Sequence, residues 1–185
     1  MNRKTRGLAQ AGAAAGLIAS VAGCFGNGVH RIGSTPGEVN PGLYTSAIPL
    51  GGLCSVERKV VNDIGDAGND AELGGRSFIQ LLPTDAAVIS TGCGVWDTPK
   101  PTSYNPDRAT AKVGMYRVPT DLLPGTYTAP GGPECAWERV SSFRGDPKSI
   151  IAENPQASVH PTVTIAKTDA GFVTNPCGGW RRVGP

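Results

Sequence analysis

The feature that most constrains this chain is an internal repeat whose two copies each carry one early and one late cysteine. Four blocks recur in the same order about 83 residues apart. They are Pro-Gly-x-Tyr-Thr at 41–45 and 124–128, Cys-x-x-Glu-Arg at 54–58 and 135–139, Thr-Asp-Ala at 84–86 and 168–170, and Cys-Gly-x-Trp at 93–96 and 177–180. The repeat predicts two tandem units, 32–97 and 114–185, separated by a Pro-rich linker at 98–113.

The repeat also predicts how the cysteines pair. The chain has five cysteines, and four of them fall inside the units. Four cysteines allow three pairings, and the simplest assignment to a repeated unit joins Cys54 to Cys93 and Cys135 to Cys177. Each bridge would close a loop of about 40 residues and stabilise a small core by roughly 4 kcal/mol in the chain-entropy model.

Within the units, short β-type runs alternate with turn residues, and Gly and Pro number 26 and 16. This pattern predicts an all-β fold of two small, disulfide-linked sandwich-like or barrel-like units. The two units could also share one sheet. One helical turn is expected after Asp146-Pro147, with Ile150-Ile151 buried on one side. The strands are expected at 43–47, 55–61, 77–82, 87–91, 114–118, 126–129, 136–143, 162–166 and 171–174.

The N-terminal segment has the features of a secretory signal. Three cations precede a Gly/Ala-rich apolar run at 7–23, and the segment Val-Ala-Gly-Cys at 21–24 resembles a bacterial lipobox. The alternatives are a membrane-spanning helix, for which the run is short, and an ordinary cleaved signal, which usually ends in Ala-x-Ala. We expect a signal peptide at 1–23, lipidation (palmitate) of Cys24, a flexible tether at 24–31, and anchorage to the extracytoplasmic side of the cell membrane.

Removal of residues 1–23 changes the charge balance. It takes away three of the 17 cationic residues and none of the 15 acidic residues, which leaves a net charge of about −1. Nucleic-acid binding then loses its electrostatic support.

No pattern in the sequence indicates an enzyme. The two histidines, His30 and His160, lie in the expected tether and before a proline, and no Gly-x-Ser-x-Gly elbow occurs. No zinc spacing is present, and the acidic stretch at 63–72 fails the EF-hand pattern. We therefore expect no catalytic residues, no metal and no cofactor.

Four residues that recur at equivalent positions are candidate binding residues. Arg58 and Arg139 follow a glutamate in each unit, and cross-strand pairing is the alternative to a ligand-binding role. Trp96 and Trp180 follow Cys-Gly in each unit. They are expected either to pack on the disulfides or to act as exposed aromatic anchors for a glycan or a protein.

These blocks resemble a repeat of actinobacterial (mycobacterial-type) secreted proteins and lipoproteins. Its features are Pro-Gly-Thr-Tyr, Cys-x-Trp-Glu-Arg, an Ile-Ile helix turn and Cys-Gly-x-Trp, and the second unit carries all of them. The first unit departs from the pattern, because Val56 replaces the Trp and the Ile-Ile turn is missing. The resemblance implies a small disulfide-linked β-domain at a cell envelope and no catalytic residues.

The sequence therefore favours a lipid-anchored envelope protein that presents a non-catalytic interaction surface. The expected partner is an envelope protein or a cell-wall component. One alternative is an extracytoplasmic carrier of lipid or glycan. Another is a phage- or prophage-encoded superinfection-exclusion lipoprotein.

Overall fold

The computed structural model describes residues 24–48, 52–60, 67–71, 75–100, 108, 110–157 and 159–185. The expected signal peptide at 1–23 lies outside these residues, and so do residues 101–107 and 109 of the expected linker. No helix in the described part of the chain is long and apolar enough to cross a membrane.

The described residues form sixteen β-strands and one 3₁₀ helix at Pro147–Ser149. In unit 1 the strands are β1 (Cys24–Phe25), β2 (Gly28–Arg31), β3 (Gly42–Ile48), β4 (Cys54–Val60), β5 (Ala67–Ala71), β6 (Gly75–Leu81), β7 (Asp85–Thr91) and β8 (Trp96–Asp97). In unit 2 they are β9 (Thr110–Ala111), β10 (Gly114–Arg117), β11 (Gly125–Thr128), β12 (Trp137–Val140), β13 (Ile150–Asn154), β14 (Thr162–Ile165), β15 (Gly171–Thr174) and β16 (Trp180–Gly184).

Each strand of unit 1 has a counterpart in unit 2, in the same chain order and with the same neighbours. Unit 1 has the strand orders β2-β7-β4-β5 and β1-β8-β3-β6, and unit 2 has β10-β15-β12-β13 and β14-β11-β16-β9. The registers agree as well: Phe25 lies opposite Trp96 in unit 1, and Ala111 lies opposite Trp180 in unit 2. The repeat is therefore longer than the motifs suggested and begins at Cys24 and at Thr110.

Each unit is a two-layer sandwich, as the sequence predicts, and its sheets do not close into barrels. In unit 1 the core side chains come from both layers, for example Tyr44 and Ile79 from one and Val56 and Val88 from the other. Alternating side chains of a strand face opposite sides, so each strand contributes one row to this core. The disulfides Cys54–Cys93 and Cys135–Cys177 lie within the units, which confirms the predicted pairing.

Three expectations about local structure are wrong. Residues 24–31 form β1 and β2, because Phe25 is buried and both strands pair with neighbours, so they are not a tether. The expected linker ends earlier than 113, since Thr110–Ala111 is β9. After the single 3₁₀ turn, the Ile150-Ile151 segment is strand β13 and not a helix turn, because it pairs along β12.

The two units share one sheet. β6 of unit 1 lies parallel to β10 of unit 2, with Arg76 opposite Gly114, so that two four-stranded layers join into one eight-stranded sheet. The Gln80 N–H donates to the Phe143 carbonyl oxygen at 2.7 Å. A separate cluster of apolar side chains covers this junction: Leu43, Phe78, Met115, Val140, Phe143 and Val173.

Candidate functional site

The recurring arginines belong to an internal polar framework. The Arg58 guanidinium donates to both Asp85 carboxylate oxygens at 2.8 and 2.6 Å, and Asp85 also accepts from the Leu82 N–H at 2.7 Å. Unit 2 repeats this arrangement: Arg139 donates to Asp169 at 2.7 and 2.9 Å. A bidentate Arg–carboxylate pair of this kind is among the stronger polar contacts in proteins, so it fixes the turn that follows β6 or β14.

The recurring tryptophans belong to the same framework. The Trp96 indole donates to Ser90 Oγ at 2.9 Å, and the Trp180 indole donates to Thr174 Oγ1 at 2.8 Å. Both rings are fully buried. They are therefore core residues, and the hypothesis of exposed aromatic anchors is wrong, because a buried ring has no surface to offer a glycan or a protein.

The candidate binding arginines are held in the same way. Arg58 is only 1% exposed, and its remaining nitrogen donates to the Arg144 carbonyl oxygen at 2.9 Å across the junction. Arg139 is partly accessible, but both Asp169 oxygens already hold its guanidinium. Arg58 therefore pairs across strands with Asp85 of β7, as the alternative predicted, whereas Arg139 pairs with Asp169 in the turn before β15.

A small surface pocket lies in unit 2. We call it the β12–β13 pocket, and its cavity has a volume of about 100 Å³. It lies at the edge of the eight-stranded sheet, where β13 is the last strand. The pocket is lined by Ala136, Trp137, Glu138, Glu153, Pro155, Val173 and Asn175.

Two carboxylates meet in this pocket. Glu138 on β12 lies directly opposite Glu153 on β13, so both side chains emerge on the same face of the sheet. Glu138 is half-buried and Glu153 is exposed. Burial raises the pKa of Glu138, and the charge of Glu153 raises it further. Neither carboxylate has a cationic partner among the described residues, so the pocket carries an uncompensated negative charge.

Trp137 lies next to Glu138 on β12, so its side chain points to the opposite face of the sheet from the acidic pair. Its ring packs toward the unit 2 core, 6.5 Å from the Phe172 ring centroid. The indole Nε1 is buried and has no hydrogen-bond partner in the described structure. A buried N–H without a partner is uncommon, because it loses water without gaining a replacement acceptor.

Unit 1 shows what the same position looks like without these features. Val56 is the counterpart of Trp137, and Glu57, the counterpart of Glu138, pairs with Lys59 Nζ at 2.5 Å. Gly68 lies opposite Glu57, where unit 2 has Glu153. The acidic pair and the indole donor are therefore specific to unit 2.

Sequence reasoning found part of this site. It identified the glutamate before Arg139 and the replacement of Trp by Val56, but it proposed no binding role for Glu138 or Trp137. It missed Glu153, because 150–154 was not identified as the strand that faces β12. The stretch Ile151-Ala152-Glu153-Asn154 does not alternate between apolar and polar residues, so the sequence carried no clear strand signal there.

The remaining groups that could carry chemistry lie elsewhere. His30 Nε2 lies 2.9 Å from the Gly26 carbonyl oxygen, and His160 sits in a loop of unit 2, where its N–H donates to the Pro130 carbonyl oxygen. The described residues contain no cluster of three or more potential metal ligands. Cys24 is the one free cysteine in the described structure, and it is exposed.

Taken together, these features define an all-β protein of two disulfide-linked sandwich units with a polar pocket at one sheet edge. Residues 108–181 match the family model of the Rv1352-like extracellular domain. This match spans unit 2 from just before β9 to the start of β16, and it supports an extracytoplasmic protein of the actinobacterial kind. Comparison with curated proteins and with solved structures finds no significant match.

Proposed function

We propose that this chain is a lipid-anchored protein of the cell envelope that presents a non-catalytic binding surface to a basic segment of a partner protein. The observation that carries the proposal is the β12–β13 pocket, in which Glu138 and Glu153 lie opposite each other without a cationic partner among the described residues. The match to an extracellular domain family supports the compartment. The lipobox-like segment that ends at Cys24 supports the anchor.

The chemistry of the pocket selects a basic peptide over other ligands. Two neighbouring carboxylates without a counterion attract a Lys or Arg side chain. Among the described strands β13 is the last of its sheet, and an extended peptide backbone can add to such an edge by main-chain hydrogen bonds.

The size of the pocket argues against the carrier alternative at this site. A cavity of about 100 Å³ accommodates one side-chain group. Pockets for lipids and comparable ligands usually enclose roughly 300–1,000 Å³. The pocket therefore suits a contact within a larger protein interface.

Photo-crosslinking in intact cells tests the proposal. A photoreactive amino acid at position 155, on the pocket rim, should capture one predominant partner protein. Glu138→Gln together with Glu153→Gln should reduce that capture at least tenfold. Glu57→Gln, the matched change in unit 1, should leave it unchanged.

A synthetic lysine-containing peptide from the captured partner should bind the purified protein, and its affinity should fall with added salt. Equal capture by the double variant and by the unmodified protein would contradict the proposed surface. Capture that depends on Glu57 in place of Glu138 would contradict it as well.

A further inference from the structure

We infer that the β1 edge of unit 1 rests directly on the bilayer, so that unit 1 is the membrane-proximal unit and the β13 edge of unit 2 points away from it. This inference rests on the proposed acylation of Cys24. It adds an orientation and a membrane-contacting surface, neither of which follows from the anchor alone.

The first step is that no flexible linker separates Cys24 from the folded unit, because Cys24 is itself part of β1. Cys24 pairs with Asp97, and Phe25 pairs with Trp96. The Phe25 ring stacks on Trp96 at 5.9 Å and meets the edge of Tyr44 at 5.2 Å, with 5% of the residue exposed. The residue that would carry the lipid is therefore already in the sheet, while its own side chain faces solvent.

The second step is the position of β1 in the eight-stranded sheet. β1 is one edge of that sheet and β13 is the other, with six strands between them. At about 4.8 Å per strand, the two edges are roughly 34 Å apart. An anchor at β1 therefore places the β12–β13 pocket at the end of the sheet that is farthest from the lipid.

The third step is the set of exposed apolar side chains next to the anchor. Val29 follows the β1–β2 turn and is 70% exposed, and Val95 precedes the partner of Phe25 and is 60% exposed. Leu53, 72% exposed, adjoins the Cys54–Cys93 bridge, whose Cys93 N–H donates to the Asn27 side chain. Acyl chains and a few apolar side chains act together at a bilayer surface.

The counterpart of Val29 in unit 2 is buried by the junction between the units, whereas Val29 itself is exposed. Gly28 and Gly114 occupy the same register, opposite Ser90 and Thr174, so Met115 is the counterpart of Val29. Met115 is 8% exposed and belongs to the apolar cluster of the junction. Unit 1 thus covers this surface in unit 2, whereas the same surface of unit 1 is open.

A second copy of the chain fits this open surface poorly. It would have to offer β14, the counterpart of β6, but Thr162 stands where the junction uses Phe78. Val159 stands where the junction uses Gly75, and a Cβ on Gly75 would approach the Val113 carbonyl oxygen to 2.5 Å. β14 therefore cannot make the contacts that β6 makes at the junction. The bilayer next to the anchor fits the exposed surface around Val29 better than a second copy of the chain does.

Depth measurements on the acylated full-length protein test the orientation. A fluorophore at Val95→Cys is compared with one at Val183→Cys, which is 63% exposed in unit 2. Vesicles of phosphatidylcholine with a minor fraction of phosphatidylglycerol carry a quencher near the headgroups. We expect at least threefold stronger quenching at position 95 than at 183, with little dependence on salt.

Hydrogen exchange supplies a readout that needs no added cysteine. Binding to the same vesicles should slow exchange of the exposed backbone amides of β2 and leave the β14 edge unchanged. Equal quenching at both positions, or unchanged β2 exchange, in a protein whose mass shows the lipid on Cys24 would overturn the orientation but leave the anchor in place. A mass without lipid would overturn both.

Discussion

At the scale of single residues, an ion pair with a buried carboxylate recurs in both units. Asp85 is fully buried at its side chain and depends on Arg58 for compensation. Asp169 is as buried, but Arg139 keeps 21% of its side chain exposed. The two equivalent pairs therefore differ in how much water can reach the carboxylate after the arginine is removed.

This difference predicts unequal costs for two matched substitutions. Arg58→Ala should lower the free energy of unfolding by about 3–5 kcal/mol, because it leaves a buried carboxylate uncompensated. Arg139→Ala should cost less, about 1.5–3 kcal/mol, since solvent replaces part of the lost contact. Urea denaturation with intact disulfides measures both, and equal costs would contradict the burial difference.

The acidic pair of the β12–β13 pocket predicts a gain of stability on neutralisation. Like charges directly opposite each other on neighbouring strands are destabilising, so Glu138→Gln should raise the free energy of unfolding at neutral pH by about 0.2–1 kcal/mol. Glu57→Gln should give no gain, because Glu57 pairs with Lys59.

The pH dependence of this gain follows from the raised pKa of Glu138. The folded state holds that proton more tightly than the unfolded state does. Protonation of Glu138 therefore stabilises the folded protein. This stabilisation is fully present below the ordinary Glu pKa of about 4.3 and is lost as pH rises through the raised pKa. The advantage of Glu138→Gln should be largest at neutral pH and disappear in acid, and a constant advantage from pH 4 to 8 would contradict the account.

At the scale of elements, the short edge strands decide where each unit begins. β1 has only two residues, yet it places Phe25 in the core beside Tyr44 and Trp96. Phe25→Ala should therefore destabilise unit 1 by about 3 kcal/mol or more, as for other large-to-small core changes. Val29→Ala, at an exposed position of β2, should change stability by less than about 0.5 kcal/mol. Thermal unfolding with both disulfides intact distinguishes the two variants. Unchanged stability of Phe25→Ala would contradict the account and support a flexible tether at 24–31.

These elements also show how far the sequence alone could lead. All nine expected strands exist, because apolar and β-branched residues between turn residues favour strands that pack on a core. The motif repeat correctly paired the cysteines. Seven strands escaped prediction: β1, β2, β5, β8, β9, β13 and β16. Four of them, β1, β2, β8 and β9, have only two to four residues, which carry too little pattern.

The β13 error has a different cause. Asp146-Pro147 is a good helix start, but the Asp146 side chain makes no capping hydrogen bond and the turn ends after three residues. From Ile150 onward, pairing with β12 prevails over local preference, which is the common outcome when tertiary contacts oppose a short signal. The pocket could not be predicted, because it depends on Glu153 facing Glu138 in that pairing.

At the scale of the whole molecule, the junction makes the two units one structure. Gly114 has φ +122°, and a Cβ there would lie 2.9 Å from the Arg76 backbone N and O. Gly114→Ala should therefore separate β6 from β10 and turn one unfolding transition into two. Gly28 has φ +120° at the counterpart position but no backbone atom within 4 Å of its Cβ. Gly28→Ala thus carries similar local strain, and calorimetry should still show one transition. Two transitions in both variants would contradict the role of the junction.

The account as a whole depends on where the mature chain begins and what it carries there. The proposed location of the protein follows from a lipid on Cys24, and so does the position of the β12–β13 pocket far from the bilayer. Cys24 is exposed at the sheet edge opposite that pocket. The most direct measurement is the intact mass and N-terminal peptide mass of the protein extracted from the envelope of its own cells. The account predicts an N-terminus at Cys24 with a diacylglycerol thioether and no free thiol. An N-terminus at another residue, or an unmodified Cys24, would contradict it.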